Sequence, residues 1–387
     1  MSTALDSDVI VIGAGIAGAS VSYFLAPHAR VRVLEREEHP GFHSTGRSAA
    51  LFSESYGPEQ VRRLSGASRA FLERPPAGFV EHPILTPRGV LIVGTAEQAP
   101  EVEAFHRSVL PLSDDARLID TREIRELVSV MTPEAAHLGV LESGAADIDV
   151  HGLHQGFLRG LKARGGEVRC SVAIRSIGRA QGRWQVEAEG QTFRAPLLIN
   201  AAGAWVDEVA KLAGVARIGI EPRRRSALLF APPGGMNVTH WPFVCSVDES
   251  YYFKPDAGML LGSPGNADPV RPHDVQPEEL DIALAIDRIE HATTMRIHRP
   301  TRTWAGLRSF VADGNLVGGF APDAPGFFWV AALGGYGIQT SAAMGEACAN
   351  LALERALPVH LTDAGITAAL LQLRPIQALQ PAAMRTG

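Results

Sequence analysis

Cysteine is scarce in this sequence. The three that occur, Cys170, Cys245 and Cys348, are odd in number and far apart. That excludes a disulfide framework and a zinc site built on paired Cys-x-x-Cys ligands, and it points to a reducing compartment. Long apolar runs are missing too: no stretch reaches the roughly 18 residues that a bilayer-spanning helix needs. Met1–Asp8 carries neither a charged leader nor an apolar signal core, so a cytoplasmic protein is expected. Positive charge is not in excess. The 36 Lys and Arg against 42 Asp and Glu leave a net charge of −6, which offers no electrostatic footprint for a nucleic acid or an anionic membrane. Internal repeats and low-complexity tracts are also lacking.

What is present is a chain of 387 residues. At about 150 residues per domain this suggests two domains, or one large α/β unit with an inserted second layer. A hydrophobic fraction of 46% is enough for a full core and excludes disorder. Glycine is enriched, 39 in 387 residues, against an average of roughly 7%. Tight turns and close backbone approaches to a ligand are therefore expected.

The first of these turns follows Val9-Ile10-Val11-Ile12, a β-branched run of the kind buried on both faces of a parallel sheet. It leads into Gly13-Ala14-Gly15-Ile16-Ala17-Gly18 and a helix-like stretch to Leu25. A second strand, Val31–Leu34, ends at Glu35. Gly13 allows the tight turn, Gly15 lets backbone approach a pyrophosphate, and Gly18 lets helix and strand pack closely. Phosphates are expected at the helix N-terminus, where free amides and the dipole favour negative charge. Glu35 stands where a carboxylate accepts ribose hydroxyls, and an acid there argues against a 2′-phosphate. FAD and NAD both satisfy this pattern.

Two later segments favour a flavin. His43-Ser44-Thr45-Gly46-Arg47-Ser48 is small and hydroxylic, placed to supply donors to a pyrophosphate and a flavin edge. Phe327–Ala332, then Leu333-Gly334-Gly335-Tyr336-Gly337 and a helix of small residues from Ile338 to Asn350, repeats the strand, glycine turn and helix at the far end of the chain. A second helix N-terminus suits a ring that becomes anionic on reduction. Leu197–Gly203 reads as another buried strand and turn, preceded by a hairpin, Arg183–Ala188 and Gln191–Arg194, turning at Glu189-Gly190. The nucleotide domain is therefore discontinuous.

With these words in order, the sequence resembles FAD-dependent oxidoreductases of the D-amino-acid oxidase/glycine oxidase superfamily, and within it the D-arginine dehydrogenase group. The likeness runs through residues 11–35, 41–50, 146–160, 200–205, 226–232, 248–264 and 304–344. It implies an α/β chain: a discontinuous Rossmann-like FAD-binding domain (residues 1–55, 145–218 and 304–387) and an α+β substrate-binding domain on an antiparallel sheet (56–144 and 219–303). It implies non-covalent FAD held by Gly13, Gly15, Ile16, Ala17, Gly18, Glu35, Arg36, Ser44, Thr45, Arg47, Ser48, Ala49, Ala173, Ala202, Gly203, Trp205 and Arg308, with Gly334, Gly335, Tyr336, Gly337, Ile338 and Gln339. The implied reaction is oxidation of the Cα–N bond of a D-amino acid, with electrons passed on to a quinone, another carrier or oxygen.

Strands are expected at Leu85–Val93, Ile220–Phe230, Phe243–Val247, Tyr251–Lys254 and Met259–Leu261, and helices at Pro58–Glu73, Glu97–Leu110, Thr121–Val130 and Pro277–Ala292. An amino acid needs an always-charged planar donor for its carboxylate, which is arginine's role. The candidates are Arg308 and one of Arg223, Arg224 and Arg225. The resemblance selects Arg225 and Arg308, adds Tyr252, places the Gly335 carbonyl by the amine, and puts Tyr56 in a lid from Ala50 to Gly57. It lines the side-chain pocket with Leu51, Ser53, Glu54, Val90, Phe243 and Cys245.

The sequence departs from the D-arginine dehydrogenase pattern at two of these positions. That group reads a cationic side chain with a glutamate and a histidine, where this chain has Val90 and Leu51. A guanidinium buried beside two aliphatic groups loses its charge-assisted hydrogen bonds, so an apolar or neutral side chain is expected. The alternatives are an oxidase of glycine, N-methylated or cyclic amino acids that forms peroxide, and a genuine D-arginine dehydrogenase using Glu54. A nucleotide-binding scaffold or regulatory protein without turnover is a different class, which Arg225, Tyr252 and Arg308 together oppose. His151 and His154 have metal-like spacing but no third ligand, and Asp149 reads as the N-cap of their helix, so no metal is expected.

Overall fold

The computed structural model describes residues 5–111 and 115–374. All four residues of Val9–Ile12 are buried, and the strand lies near the middle of a six-stranded sheet. Its order is Glu167–Arg169, Val31–Leu34, Val9–Ile12, Leu197–Asn200, Phe327–Ala331 and Val317–Phe320. The first five strands are parallel and the last is antiparallel. Side chains alternate across a strand, and both faces are covered. Val9 and Val11 pack with the helices Ile16–Leu25 and Ser341–Ala352. Ile10 and Ile12 pack with Trp184, Val186 and Phe193 of a smaller four-stranded sheet. That sheet contains the expected hairpin, whose turn residues Glu189 and Gly190 have φ of 51° and 76°, as a turn with two left-handed residues requires.

A nine-stranded sheet forms the second layer. Glu221–Phe230 pairs along its length with Arg302–Phe310, and its other side continues through Met259–Ser263, Tyr252–Asp256, Phe243–Ser246, Val90–Gly94, Leu138–Glu142 and Arg117–Asp120. One pair, Phe243–Ser246 with Val90–Gly94, is parallel, so the sheet is mixed rather than wholly antiparallel. Leu91, Leu228, Phe230, Val244 and Phe253 form one face, under the helix Glu279–Ala292. On the other face Phe243, Cys245, Tyr252 and Leu261 pack together, and Arg225 and Tyr252 line the cavity between the layers.

Three expectations change. The run 85–93 is two strands in different sheets, Leu85–Pro87 and Val90–Gly94, because Gly89, at φ 76°, turns the chain between them. A boundary at residue 304 falls inside Arg302–Phe310, which is hydrogen-bonded into the nine-stranded sheet. The helix expected from Ile338 starts at Ser341, since residues 335–340 are occupied by turns. Helices Glu59–Glu73, Ala99–Val109, Thr121–Leu127 and Glu279–Ala292 stand where periodicity places them.

Candidate active site

A long cavity runs between the layers, from Glu35 and Arg36 past Gly13–Ala17 to Arg225, Tyr252, Arg308 and Gly335. Its first end is shaped by backbone. Gly13 has φ +99°, and a Cβ there would lie 2.6 Å from the Ala201 carbonyl oxygen; a Cβ on Gly18 would lie 1.9 Å from that of Gly13. Only glycine fits either place. The helix Ile16–Leu25 begins at Gly15 without a side-chain cap, and Thr45 Oγ1 accepts from Ile16 N at 3.0 Å. Glu35 accepts from Ala14 N at 2.7 Å and from Glu37 N at 3.0 Å, bracing the glycine turn as well as facing the cavity. Beside it, the Arg36 guanidinium lies 4.6 Å from the Trp205 ring. His154 Nε2, 2.8 Å from the Ala14 carbonyl, supports the loop from behind, and burial holds its imidazole below the ordinary value. Asp149 caps that helix through Gly152 N.

Of the residues assigned to the cofactor, all but Gly18, Ala173, Tyr336 and Gln339 line this cavity. Gly18 lies behind the turn. Ala173 is exposed and points away, while Val172 and Ile174 line the wall; the two-residue side-chain period of extended chain accounts for the shift by one. Tyr336 packs on Tyr56, with ring centroids 5.1 Å apart. Gln339 is buried and accepts from Ser53 N at 3.2 Å. Arg47 also holds the layers together: it donates to the Val275 and Ala305 carbonyls and pairs with Asp274. Ser44 Oγ donates to the Leu307 carbonyl at 2.6 Å. An elongated ligand with a polyphosphate near one helix N-terminus and a flat ring at the far end fits this cradle.

The far end is built by side chains. Residues 223 and 225 share one face of their strand and 224 the other. Arg224 accordingly turns away and pairs with Asp268, Glu278 and Asp281, and Arg223 pairs with Glu221 at the exposed end of the strand. Arg225 faces the cavity, donates to the Asn266 carbonyl at 2.6 Å, and lies 6.0 Å from the Tyr252 ring centroid. Arg308 donates to Tyr56 Oη at 3.4 Å. A Cβ on Gly335 would lie 3.0 Å from Arg308 Cζ, so glycine makes room for the guanidinium. Burial, then the Arg308 charge, pushes Arg225 down. Burial opposes the charge on Arg308, but Tyr56, Tyr252 and Glu249 hold it above the ordinary arginine value. Neither guanidinium is in an ion pair with a carboxylate among the described residues. Two half-buried cations side by side, neither bonded to a carboxylate, call for an anionic ligand.

Around this end, Phe243 stacks on Tyr252 at 5.1 Å, and Cys245 packs with Tyr252 and Leu261, burial raising its thiol. Val90 pairs with Phe243 on the next strand. Leu51 opens a short strand, Leu51–Phe52, paired with Ala146–Ile148. Glu54 turns away from the pocket and pairs with Arg69 at 2.7 Å. The acid that sequence reasoning missed is Glu142, 4% exposed, which accepts from Ser53 Oγ at 3.1 Å and from Ser55 Oγ. An acid closing the apolar strand Leu138–Leu141 was the available signal.

Comparison with known proteins agrees with this architecture. The model of the DAO family, FAD dependent oxidoreductase, matches residues 8–351. FAD-dependent oxidoreductase domain-containing protein 1 of Bos taurus is 24% identical over 403 residues, covering 90% of this chain and 81% of that protein. Mitochondrial dimethylglycine dehydrogenase of Rattus norvegicus is 23% identical over 268 residues, 67% of this chain and 31% of its own length. The crystal structure of glycine oxidase from Geobacillus kaustophilus superposes with a TM-score of 0.81 at 19% identity, covering 96% of this chain and 99% of that one. This chain belongs to the DAO family of FAD-dependent oxidoreductases, and FAD is its cofactor.

Proposed function

We propose that the chain oxidises the Cα–N bond of D-amino acids with apolar or neutral side chains, as a dehydrogenase. The observation that carries this reading is the pair of half-buried guanidiniums without a bonded carboxylate partner, Arg225 and Arg308, at the far end of the FAD cavity. Bound FAD supplies the acceptor for the hydride that leaves Cα. The chain supplies position: Arg308 and Arg225 take the substrate carboxylate, and the Tyr252 hydroxyl assists. The Gly335 carbonyl accepts from the amine, and Tyr56 covers the site against water. The amine reacts deprotonated and the imino acid product is hydrolysed to a 2-oxo acid and ammonia, so no strong general base is required.

The D configuration rests on the likeness to the D-arginine dehydrogenase group. The side-chain preference rests on Val90, Leu51, Phe243 and Cys245, and on Glu54 being engaged by Arg69. A second reading is oxidation of glycine or N-methylated amino acids. The similarity to dimethylglycine dehydrogenase and to the glycine oxidase structure favours it. Anaerobic titration of the flavin spectrum with D- and L-amino acids, glycine and sarcosine separates these readings. Bleaching by D-leucine, D-methionine or D-phenylalanine ahead of glycine, sarcosine and D-arginine is expected, with little peroxide under air and fast turnover with a quinone. Preference for sarcosine or glycine with stoichiometric peroxide would replace the first reading by the second.

A further inference from the structure

The lid contains a polar device that this reaction does not use. Residues 50–57 are bracketed by two left-handed positions, Ala50 at φ 29° and Gly57 at φ 91°. Ala50 is not a residue that adopts this conformation freely, and Gly57 has Tyr336 and Val61 within 3.0 Å of where a Cβ would stand. Between these hinges the segment is tied at both sides. Ser53 N donates to Gln339 Oε1 at 3.2 Å, and Gln339 Nε2 donates to Ser65 Oγ at 2.8 Å, which anchors the lid to the helices beside the FAD layer. On the other side Ser53 Oγ and Ser55 Oγ both donate to Glu142, the last residue of a strand in the nine-stranded sheet. The next residue, Tyr56, carries the hydroxyl that meets Arg308.

We propose that Glu142 is a positioning residue that clasps the closed lid and so sets Tyr56 over the substrate site. Topology delivers it there: Glu142 is the cross-strand partner of Val90, and the chain four and five residues later pairs with the lid residues Phe52 and Leu51. The groups around it are Glu54 on the lid, Asp115 before the neighbouring edge strand, and Arg62 on the helix that follows the lid. No cation bonds to it among the described residues. Burial, aided by Asp115 and Glu54 and opposed by the two serines, raises its carboxyl above the ordinary value of 4.5.

The clasp is therefore coupled to a proton. With the lid open, water reaches the carboxyl and its ordinary value returns; closing raises it. Closure takes up a proton at pH values between the two, so it weakens as pH rises from about 4.5 through the raised value. A protonated Glu142 donates to one serine oxygen and accepts from the other, a set that glutamine reproduces without titrating.

The functional part of the test rests on the amino-acid reading; the exchange part does not. Hydrogen–deuterium exchange of the 50–57 segment in the FAD-loaded enzyme, without substrate, is expected to speed up about tenfold or more in E142A and to stay near wild type in E142Q at pH 6. In steady state, E142A is expected to raise KM about tenfold with a smaller fall in kcat. The ratio of wild-type to E142Q KM is expected to climb as pH rises above 4.5, a ratio that cancels any contribution from the substrate amine. Unchanged lid exchange in E142A, or identical pH profiles for wild type and E142Q, overturns the clasp. So does a switch in preference between cationic and neutral substrates, which would put Glu142 in the pocket itself. Faster exchange in E142A in an enzyme that no amino acid reduces keeps the clasp and defeats the functional reading.

Discussion

The two ends of the FAD cavity are held by different kinds of chemistry. At the Glu35 end the shape is backbone: glycines at 13 and 18 that tolerate no Cβ, a helix N-terminus, and amides braced by Glu35 and Thr45. At the Arg308 end it is side chains: two half-buried guanidiniums, three tyrosines, and a lid tied to both layers. Backbone sites recognise what all dinucleotides share, and side-chain sites recognise one substrate class. The first end is therefore expected to fail as loss of cofactor, and the second as loss of turnover with the cofactor in place.

The largest effect is expected from R308M. It removes charge-assisted hydrogen bonds that are worth about 3–5 kcal/mol when one buried partner is deleted, so kcat/KM should fall by about 10³-fold while flavin content stays unchanged. Steady-state kinetics on flavin-replete protein checks this, and parallel loss of flavin would blur the contrast between the ends. G335A comes next. Its Cβ would stand 3.0 Å from Arg308 Cζ, and displacing the guanidinium by about 1 Å should cost about 10²-fold in the rate of flavin reduction. At the other end G13A imposes both a clash and a left-handed alanine. About 10- to 100-fold weaker FAD binding is expected, from roughly 1–3 kcal/mol of strain, with normal turnover once FAD is saturating. A turnover defect that excess FAD does not repair would break the division.

The sequence exposed these ends unequally. Gly13, Gly15 and Gly18 sit between two apolar strands, so periodicity and turn chemistry located the phosphate end directly, and the strand Phe327–Ala331 with its glycine turn was equally plain. Arg225 was not separable from Arg223 and Arg224 by residue type, because all three occupy one strand and only its register decides which faces the cavity. The resemblance selects Arg225, and the register places 225 on the cavity wall while 224 is consumed by three carboxylates. Ala173 stands exposed between the lining residues Val172 and Ile174 for the same reason of alternation. Glu142 showed in the sequence only as an acid closing an apolar strand, because its meaning comes from a cross-strand neighbour and two serines about ninety residues upstream. Long-range hydrogen bonds of that kind leave no local pattern.

Smaller effects sharpen the picture. His154 is buried and held neutral below its ordinary 6.5, so the unfolded chain takes up the proton first. Stability is complete above pH 6.5 and is lost as pH falls below it. The melting temperature of H154Q should fall less between pH 6.5 and 5 than that of wild type. The least effect is expected from E54Q, less than about twofold on the ratio of D-arginine to D-leucine turnover, because Glu54 is engaged by Arg69 at the surface. A rise or fall of tenfold in that ratio would mean that Glu54 reaches the substrate.

The central claim is that Arg225 and Arg308 hold a substrate carboxylate against the flavin. Stopped-flow reduction of the FAD enzyme by a D-amino acid and by its carboxamide, under anaerobic conditions, tests it most directly. The predicted result is rapid bleaching by the acid and at least about 10³-fold slower bleaching by the amide, which lacks the negative charge. Equal rates for the two would show that the paired guanidiniums do not bind the substrate carboxylate, and the account would fail at its centre.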